Sequence, residues 1–167
     1  GILIGKKEYI DRMKRHPLAR AFRVDKMTLA AMEATFFEYM DMEDAKKNIP
    51  VLQMITVSQE ELKKRAGAVL DAIKAAAPEL TLDLCPCRDQ IGGGSAPTVR
   101  LSGQAVSVFS EKISAERLER LLRRAETPVI VRVAHDEVLL SVRTIKDEDI
   151  PCVAQAFAFA VSHADTN

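Results

Sequence analysis

The spacing of apolar and polar residues in the first fifty positions predicts two helices and a polar link. Apolar residues recur at helical intervals over 7–15 and again over 26–40. The second stretch carries an apolar stripe formed by Leu29, Met32, Phe36 and Tyr39. Residues 41–50 are mostly polar, and the helix-breaking Pro50 should end this link. Both helices need a partner surface to cover their apolar sides.

From residue 51 onward, helical and strand-like patterns alternate. Ser58 and Glu61 form a capping-box pair that should open a helix reaching residue 77. The later elements are predicted as strands over 80–85, 98–101 and 105–109, a helix from Ser114, strands over 129–133 and 138–142 around a His135-Asp136 turn, and a helix over 148–161. This order predicts an α+β fold with helices on one face of a largely antiparallel sheet.

Length and composition favour one packed domain with an attached arm. The chain has 167 residues, of which 47% are hydrophobic and 29% charged, enough to bury a core. We therefore expect two regions, 1–50 and 51–167. No export signal and no run of about twenty apolar residues is present, so we expect a cytoplasmic protein without a membrane span. Because the sequence opens on the apolar Ile2-Leu3-Ile4 without an initiator Met, we also expect a truncated chain.

Basic residues are concentrated between positions 14 and 26 of a chain that balances 24 basic against 24 acidic residues. Five Lys or Arg face one Asp in this run, which predicts a nearby anion. Pro17 should break the first helix and Asp25 should cap the next one. Arg20 and Arg23 would then lie on a short extended connector before a helix N-terminus, an arrangement that suits a phosphate-like anion. The alternative is a solvated basic loop.

The cysteines and histidines predict neither a metal site nor a catalytic triad. Three cysteines in a chain without an export signal indicate reduced structural thiols rather than a disulfide framework. Cys85 and Cys87 are separated by one residue, whereas zinc sites favour at least two. The three histidines are scattered along the chain, with no nucleophile or carboxylate placed beside them.

Several blocks resemble the bacterial selenocysteine synthases, the L-seryl-tRNA(Sec) selenium transferases. The most specific are GILIGKKE at 1–8 and HPLARAFRVDKMTLAAMEAT at 16–35. Weaker matches are IPVLQM at 49–54, QIGGGSAP at 90–97, PVIVRV at 128–133 and LLSVRT at 139–144. The resemblance as a whole runs from residue 1 to about residue 148.

The resemblance implies a fold-type I pyridoxal-phosphate enzyme that forms homo-oligomers. Residues 1–50 would be the end of its cofactor-binding large domain with the linking helices, and 51–167 its small C-terminal domain. In this family the Schiff-base lysine lies shortly before the GILIG stretch, while Lys6 and Lys7 match surface positions. The cofactor would therefore belong to the full-length protein, and this chain alone should bind none and be inactive.

The resemblance also implies substrates. The family converts seryl-tRNA(Sec) to selenocysteinyl-tRNA(Sec) through a dehydroalanyl intermediate, with selenophosphate as the selenium donor. Arg20 and Arg23 match the family's anion-binding arginines and would hold the donor. Lys26 is a weaker candidate, since it equally suits an exposed first helical turn.

Two further candidates each have a structural alternative. Backbone N–H groups of Gly92, Gly93, Gly94 and Ser95 would approach an anion, or the loop would form a simple turn or bulge. Arg143 lies where many fold-type I aminotransferases carry a substrate-binding arginine, but the family's substrate is an uncharged ester. We therefore favour an ion pair between Arg143 and Asp147 or Glu148.

Two other functions remain open. In a related pyridoxal-phosphate lyase acting on a small phosphorylated amino sugar or amino acid, Arg20 and Arg23 would hold the substrate phosphate. Alternatively, the chain would be a free-standing α+β interaction module without catalytic activity. A lysine in sequence upstream of Gly1 would exclude the module, and a tRNA-binding domain there would favour the transferase.

Overall fold

The computed structural model describes residues 2–92 and 96–164. The chain divides into two compact units, residues 1–50 (unit 1) and residues 51–167 (unit 2). No helix within the described residues is both long enough and apolar enough to cross a lipid bilayer.

Unit 1 is helical. Its elements are α1 (Lys7–Arg15), a 3-10 helix (Pro17–Arg20), α2 (Lys26–Glu38) and α3 (Met42–Asn48). The helices predicted over 7–15 and 26–40 are thus confirmed, with the second ending two residues early. Ala45 is the only residue of unit 1, among those described, that is fully buried. Unit 1 consequently has almost no core of its own.

The predicted link over 41–50 was wrong in two respects. It contains α3, whose first turn is capped by the Asp41 side chain accepting hydrogen bonds from the backbone N–H groups of Glu43 and Asp44. Pro50 begins a helix, α4 (Pro50–Thr56), instead of ending a segment. Proline is well suited to the first position of a helix because that N–H has no intrahelical partner.

Within the described residues, unit 2 combines four α-helices, the first being α4, with a four-stranded antiparallel sheet, which confirms the predicted α+β class. The sheet order is β1-β2-β4-β3, and every neighbouring pair is antiparallel. The elements are α5 (Gln59–Ala76), β1 (Thr81–Gln90), β2 (Arg100–Phe109), α6 (Ala115–Leu122), β3 (Arg132–Ala134), β4 (Glu137–Ser141), a 3-10 helix (Asp147–Asp149) and α7 (Ile150–Ser162).

The strands differ from prediction mainly in length. β1 continues to Gln90 because its register with β2 is unbroken from Thr81↔Phe109 to Gln90↔Arg100. The two short strands predicted over 98–101 and 105–109 are one strand for the same reason. Pro86 is tolerated in β1 because this is an edge strand of the sheet, where a missing backbone donor need not interrupt pairing.

The core lies between the helices and one face of the sheet. Val106 and Val108 of β2 and Val138 and Leu140 of β4 are buried there. The helical side contributes apolar residues that include Leu62, Val69 and Ile73 of α5, Leu118 and Leu122 of α6, and Phe157 of α7. Burial of these side chains supplies the main stabilising free energy of unit 2.

Part of the opposite face of the sheet carries small and polar side chains. Residues paired in register share a face, so Cys85, Ala105 and Ser141 lie together on the side away from Val106 and Leu140. By the same alternation, Cys87 and Asp89 of β1 lie on this polar face.

Candidate functional site

The predicted anion-binding connector lies between α1 and α2, and its conformation corrects the prediction. It is not extended throughout, because Pro17–Arg20 form one 3-10 turn after an extended His16. The His16 ring nitrogen Nδ1 accepts a hydrogen bond from the Leu18 N–H at 3.2 Å, which starts this turn. Arg20 is the last residue of the turn, and the Arg23 N–H donates to its carbonyl at 3.4 Å.

Asp25 begins α2 as predicted. Its carboxylate accepts hydrogen bonds from both the backbone N–H and the hydroxyl of Thr28, each at 2.9 Å. The bond from the Thr28 N–H is the main cause that lowers the pKa of Asp25, so this cap is charged at neutral pH. The cap leaves Lys26 at the first position of the helix, with an exposed side chain.

Arg20 and Arg23 are both exposed, and no carboxylate among the described residues forms an ion pair with either one. The guanidinium groups are therefore available to a ligand. Arg20 and Arg23 lie in one short segment next to the N-terminus of α2, in unit 1. The other two candidates, Gly92 and Arg143, belong to unit 2.

The glycine loop follows β1. Gly92 is half-buried, two residues beyond the end of the strand. Gly93, Gly94 and Ser95, the other predicted members of this anion contact, lie outside the described residues.

Arg143 is buried in unit 2, and its predicted ion-pair partners were wrong. Its Nε donates to Asp89 Oδ2 at 2.7 Å, where Asp147 or Glu148 had been expected. Asp147 instead pairs with Arg65 at 3.3 Å, and Glu148 pairs with Lys146 at 3.2 Å. Asp147 and Glu148 are exposed, whereas a buried guanidinium needs a buried acceptor.

The two remaining guanidinium nitrogens of Arg143 bind backbone carbonyls. Nη1 donates to the Met54 carbonyl of α4 at 2.8 Å, and Nη2 donates to the Ser102 carbonyl of β2. The Ser102 carbonyl also accepts from the Gln59 side chain at the start of α5. Arg143 therefore joins α4 to strands β1 and β2.

Asp89 completes this cluster, which we call the Arg143 cluster: Arg143, Asp89, Ser141, Cys87 and Gly103. The Ser141 hydroxyl donates to Asp89 Oδ1 at 2.8 Å, and the Cys87 thiol approaches the same oxygen at 3.4 Å. A Cβ atom placed on Gly103 would lie 2.2 Å from Asp89 Oδ2 and 2.9 Å from Cys87 Sγ. Glycine at this position therefore makes room for the carboxylate.

The electrostatics of the cluster favour a charged Asp89 beside a neutral Cys87. Burial alone would raise the pKa of Asp89, but hydrogen bonds from Arg143, Ser141 and Cys87 outweigh it and hold that pKa below its ordinary value. Burial, followed by the negative charge of Asp89, raises the pKa of the Cys87 thiol. Burial likewise raises the pKa of Cys85. These thiols are thus poor nucleophiles at neutral pH.

The described residues contain no group of three or more His, Cys, Asp or Glu side chains arranged to hold a metal ion. Cys85, Cys87 and Cys152 are all free and half-buried.

Sequence reasoning missed Asp89, Gly103 and the carbonyl acceptors of Arg143. The alternation of Cys85, Cys87 and Asp89 was a usable signal, since residues two apart share a face of a strand. The pairing of β1 with β2, which places Gly103 opposite Cys87, depends on a distant segment and leaves no local signature.

Comparison with known proteins identifies the family. The SelA family model, described as L-seryl-tRNA selenium transferase, matches residues 1–146. The chain belongs to this family. The resemblance read from the GILIGKKE and HPLARAFRVDK blocks is therefore confirmed, and both blocks lie within the matched residues.

Three L-seryl-tRNA(Sec) selenium transferases illustrate the similarity. The protein from Clostridium botulinum strain Hall is 43% identical over 157 residues, and that from Alkaliphilus oremlandii is 41% identical over 157 residues. Each alignment covers 94% of this chain and 34% of the relative. The Geobacter sulfurreducens protein is 38% identical over 157 residues, covering 93% of this chain and 34% of its own length. The chain thus spans about a third of the length of these relatives.

Proposed function

We propose that this chain is part of a longer cytoplasmic enzyme that converts seryl-tRNA(Sec) to selenocysteinyl-tRNA(Sec) with selenophosphate as the selenium donor. The family match and the shared name of the relatives support this function over a lyase or a non-catalytic module. In this proposal the enzyme is a homo-oligomer of the fold-type I class. Unit 1 is the end of its large domain, and unit 2 is its small domain.

The observation that carries the proposal is the pair of exposed, unpaired arginines before α2. Selenophosphate is a dianion, and each guanidinium can present two parallel N–H donors to its oxygens. The positive end of α2 favours an anion at the same place. Lys26, in the first turn of α2, would add charge without that planar geometry. Arg20 and Arg23 would thus bind the donor and orient it for transfer.

The proposed enzyme uses pyridoxal phosphate, which stabilises negative charge at the amino acid's α-carbon when bound. The described residues of this chain do not fit the covalent attachment of that cofactor. Every described lysine is exposed except Lys46, which is half-buried and pairs with Glu43 at 2.7 Å. The attachment lysine is therefore assigned to the rest of the longer polypeptide, and the chain alone is expected to be inactive.

Kinetics of the full-length enzyme test the role of the arginines. Replacing Arg20 or Arg23 with Ala should raise the KM for selenophosphate by roughly ten- to hundredfold, because a charge-assisted contact is worth about 1.5–3 kcal/mol. The KM for seryl-tRNA(Sec) should stay unchanged. Lysine at either position should restore little, since an ammonium group does not reproduce the two-point contact.

Arg15→Ala is the matched control, because Arg15 belongs to the same basic run but ends α1. It should leave the KM for selenophosphate within about twofold of the wild-type value if the contact is specific rather than a general effect of charge. A normal selenophosphate KM in Arg20→Ala and Arg23→Ala would contradict the proposal. An equal loss for both substrates would also contradict it.

A further inference from the structure

Positive charge is concentrated in residues 6–26, and the proposed donor site uses only part of it. This segment has eight Lys or Arg and three Asp or Glu, whereas the rest of the chain has 16 Lys or Arg and 21 Asp or Glu. Such a local excess in a chain without net charge normally faces a negative partner. The donor site, formed by Arg20 and Arg23 with Lys26, leaves five of the eight cations without a role.

Three of these five cations lie in the last turn of α1 and are called the α1 cations: Arg12, Lys14 and Arg15. Their side chains are exposed, and no carboxylate within the described residues pairs with any of them. Lys7, by contrast, is paired with Asp11 one turn along the helix. A cation near a helix C-terminus also interacts with the helix dipole, but that effect is small at exposed positions and does not require three charges.

The last turn of α1 lies directly beside the connector that carries the donor site. Met13 and Lys14 line the same hollow, of about 460 Å³, as Leu18 and Phe22 of the connector. The His16 N–H donates to the Met13 carbonyl at 3.1 Å, so the chain passes from the helix into the 3-10 turn without a spacer. The α1 cations and the donor site therefore belong to one compact basic region of unit 1.

The proposed reaction brings a polyanion to this region. Its serine is esterified to the 3′ end of tRNA(Sec), and the selenium of the donor must reach the β-carbon of that serine. The phosphates nearest the 3′ end must therefore arrive close to the donor site. We propose that the α1 cations bind the phosphate backbone of the tRNA acceptor arm near its 3′ end. This inference rests on the proposed function, because it assigns the surface of this chain that holds the RNA of that substrate.

The residue types of the α1 cations suit an RNA backbone better than an acidic protein surface. Exposed Lys and Arg neutralise backbone phosphates without reading the bases, and either residue can do so. Protein interfaces, in contrast, are depleted in Lys and bury few charges at their centre. The contact should therefore contribute affinity and placement of the 3′ end, whereas recognition of the tRNA sequence is left to other parts of the enzyme.

Filter binding of deacylated tRNA(Sec) to the full-length enzyme tests the contact. The triple variant Arg12→Gln, Lys14→Gln, Arg15→Gln should bind roughly tenfold or more weakly at about 0.1 M salt. Each phosphate contact contributes about 0.9 to the slope of log affinity against log salt concentration, so the slope should become shallower by about 2–3. Arg12→Lys combined with Arg15→Lys should stay within about twofold of the wild type, because a phosphate accepts either cation.

A triple variant in α5 is the matched control. Lys63→Gln, Lys64→Gln, Lys74→Gln removes the same charge from exposed positions of unit 2 that have no ion pair within the described residues. The affinity and the salt slope should match those of the wild type if the contact is local rather than an effect of net charge. Equal weakening by the two triple variants would overturn the proposal.

Hydroxyl-radical cleavage of the bound RNA locates the contact. The wild-type enzyme should protect the acceptor arm next to the 3′ end. The triple variant in α1, at saturating concentration, should lose that protection while keeping protection elsewhere on the tRNA. Unchanged protection of the acceptor arm would overturn the proposal and favour an acidic protein surface as the partner of the α1 cations.

The KM for selenophosphate separates this inference from the proposed donor site. It should stay within about twofold of the wild-type value in the triple variant of α1, because these side chains contact the RNA and not the donor. A raised KM for selenophosphate together with weakened tRNA binding would overturn the proposal, since it would indicate a disturbed basic region. A wild-type enzyme that fails to bind tRNA(Sec) would overturn the proposed function and this inference with it. Equally tight binding of tRNA(Sec) by the wild type and the triple variant would overturn this inference alone.

Discussion

Arg143 and Asp89 form a buried ion pair whose loss should destabilise unit 2. Their side chains are 7% and 10% exposed, so Asp89→Ala would leave the guanidinium charge without its carboxylate. We expect a loss of about 3 kcal/mol in the free energy of unfolding, measured by urea denaturation. Asp147→Ala, which removes an exposed carboxylate paired with Arg65, should cost less than about 1 kcal/mol. Equal effects of the two substitutions would contradict the assigned pairing.

The same pair predicts a pH dependence with a definite sign. The pKa of Asp89 is lowered from its ordinary value of 3.8 in the folded state. Its contribution to stability is therefore complete above that ordinary value and is lost as the pH falls through the lower folded pKa. Urea denaturation across acidic pH should show Asp89→Asn with a flatter fall in stability than the wild type. Parallel curves would show that Asp89 is not the titrating group.

Gly103 offers a steric test of the Arg143 cluster. Gly103→Ala should destabilise unit 2 by about 1–3 kcal/mol, because its Cβ would lie 2.2 Å from Asp89 Oδ2 and displace the carboxylate. Gly67→Ala is the matched control in the interior of α5, where nothing beyond the neighbouring residues and the backbone of the helix itself lies within 4 Å of the added Cβ. It should stabilise the helix by about 0.5–1 kcal/mol. Thermal unfolding of both variants would distinguish steric displacement from a general effect of the substitution.

At the scale of elements, the β3–β4 hairpin has a two-residue turn that stores backbone strain. His135 and Asp136 have φ values of 55° and 61°, as in a type I′ turn. His135→Asn with Asp136→Gly should raise the free energy of unfolding by about 1 kcal/mol, since these residues tolerate positive φ. Ala134→Gly, one residue earlier within β3, should lower it by about 0.5–1 kcal/mol. If both changes were destabilising, the turn would not be the source of strain.

Local capping signals predicted the starts of three helices, α2, α5 and α6. Asp25, Ser58 and Ser114 each accept the expected backbone hydrogen bond at the start of a helix, because capping involves residues only two or three positions apart. Pro50 was misread because proline both ends and begins helices, and the choice depends on the residues after it.

Non-local pairing explains what the sequence could not predict. The continuity of β2 depends on its register with β1, and the partner of Arg143 lies 54 positions away in the chain. The basic connector was recognisable because its charges are adjacent in sequence. The 3-10 turn within the connector was not recognisable from the sequence. The hydrogen bond from the Leu18 N–H to the His16 ring is one of several local arrangements that a residue before proline can adopt.

At the scale of the whole molecule, the two units differ in how they are stabilised. Unit 2 buries a continuous apolar cluster between the sheet and its helices. Unit 1 depends mainly on local helix contacts, caps and exposed ion pairs such as Lys47–Asp44, which contribute little each. The free energy of local opening should therefore be much smaller in unit 1 when residues 1–167 are studied alone.

Limited trypsin digestion of residues 1–167 should reveal this difference. Cleavage after the exposed Lys14, Arg15, Arg20 and Arg23 should be at least tenfold faster than cleavage at Lys63 and Lys64, which are exposed but held within α5. A further cut after Lys47 should leave a resistant product beginning at Asn48, identified by mass spectrometry. In the full-length protein, covering of unit 1 should slow the first cuts while leaving those in α5 unchanged. Equal cleavage rates in the two units of residues 1–167 would show that unit 1 is stable without any partner.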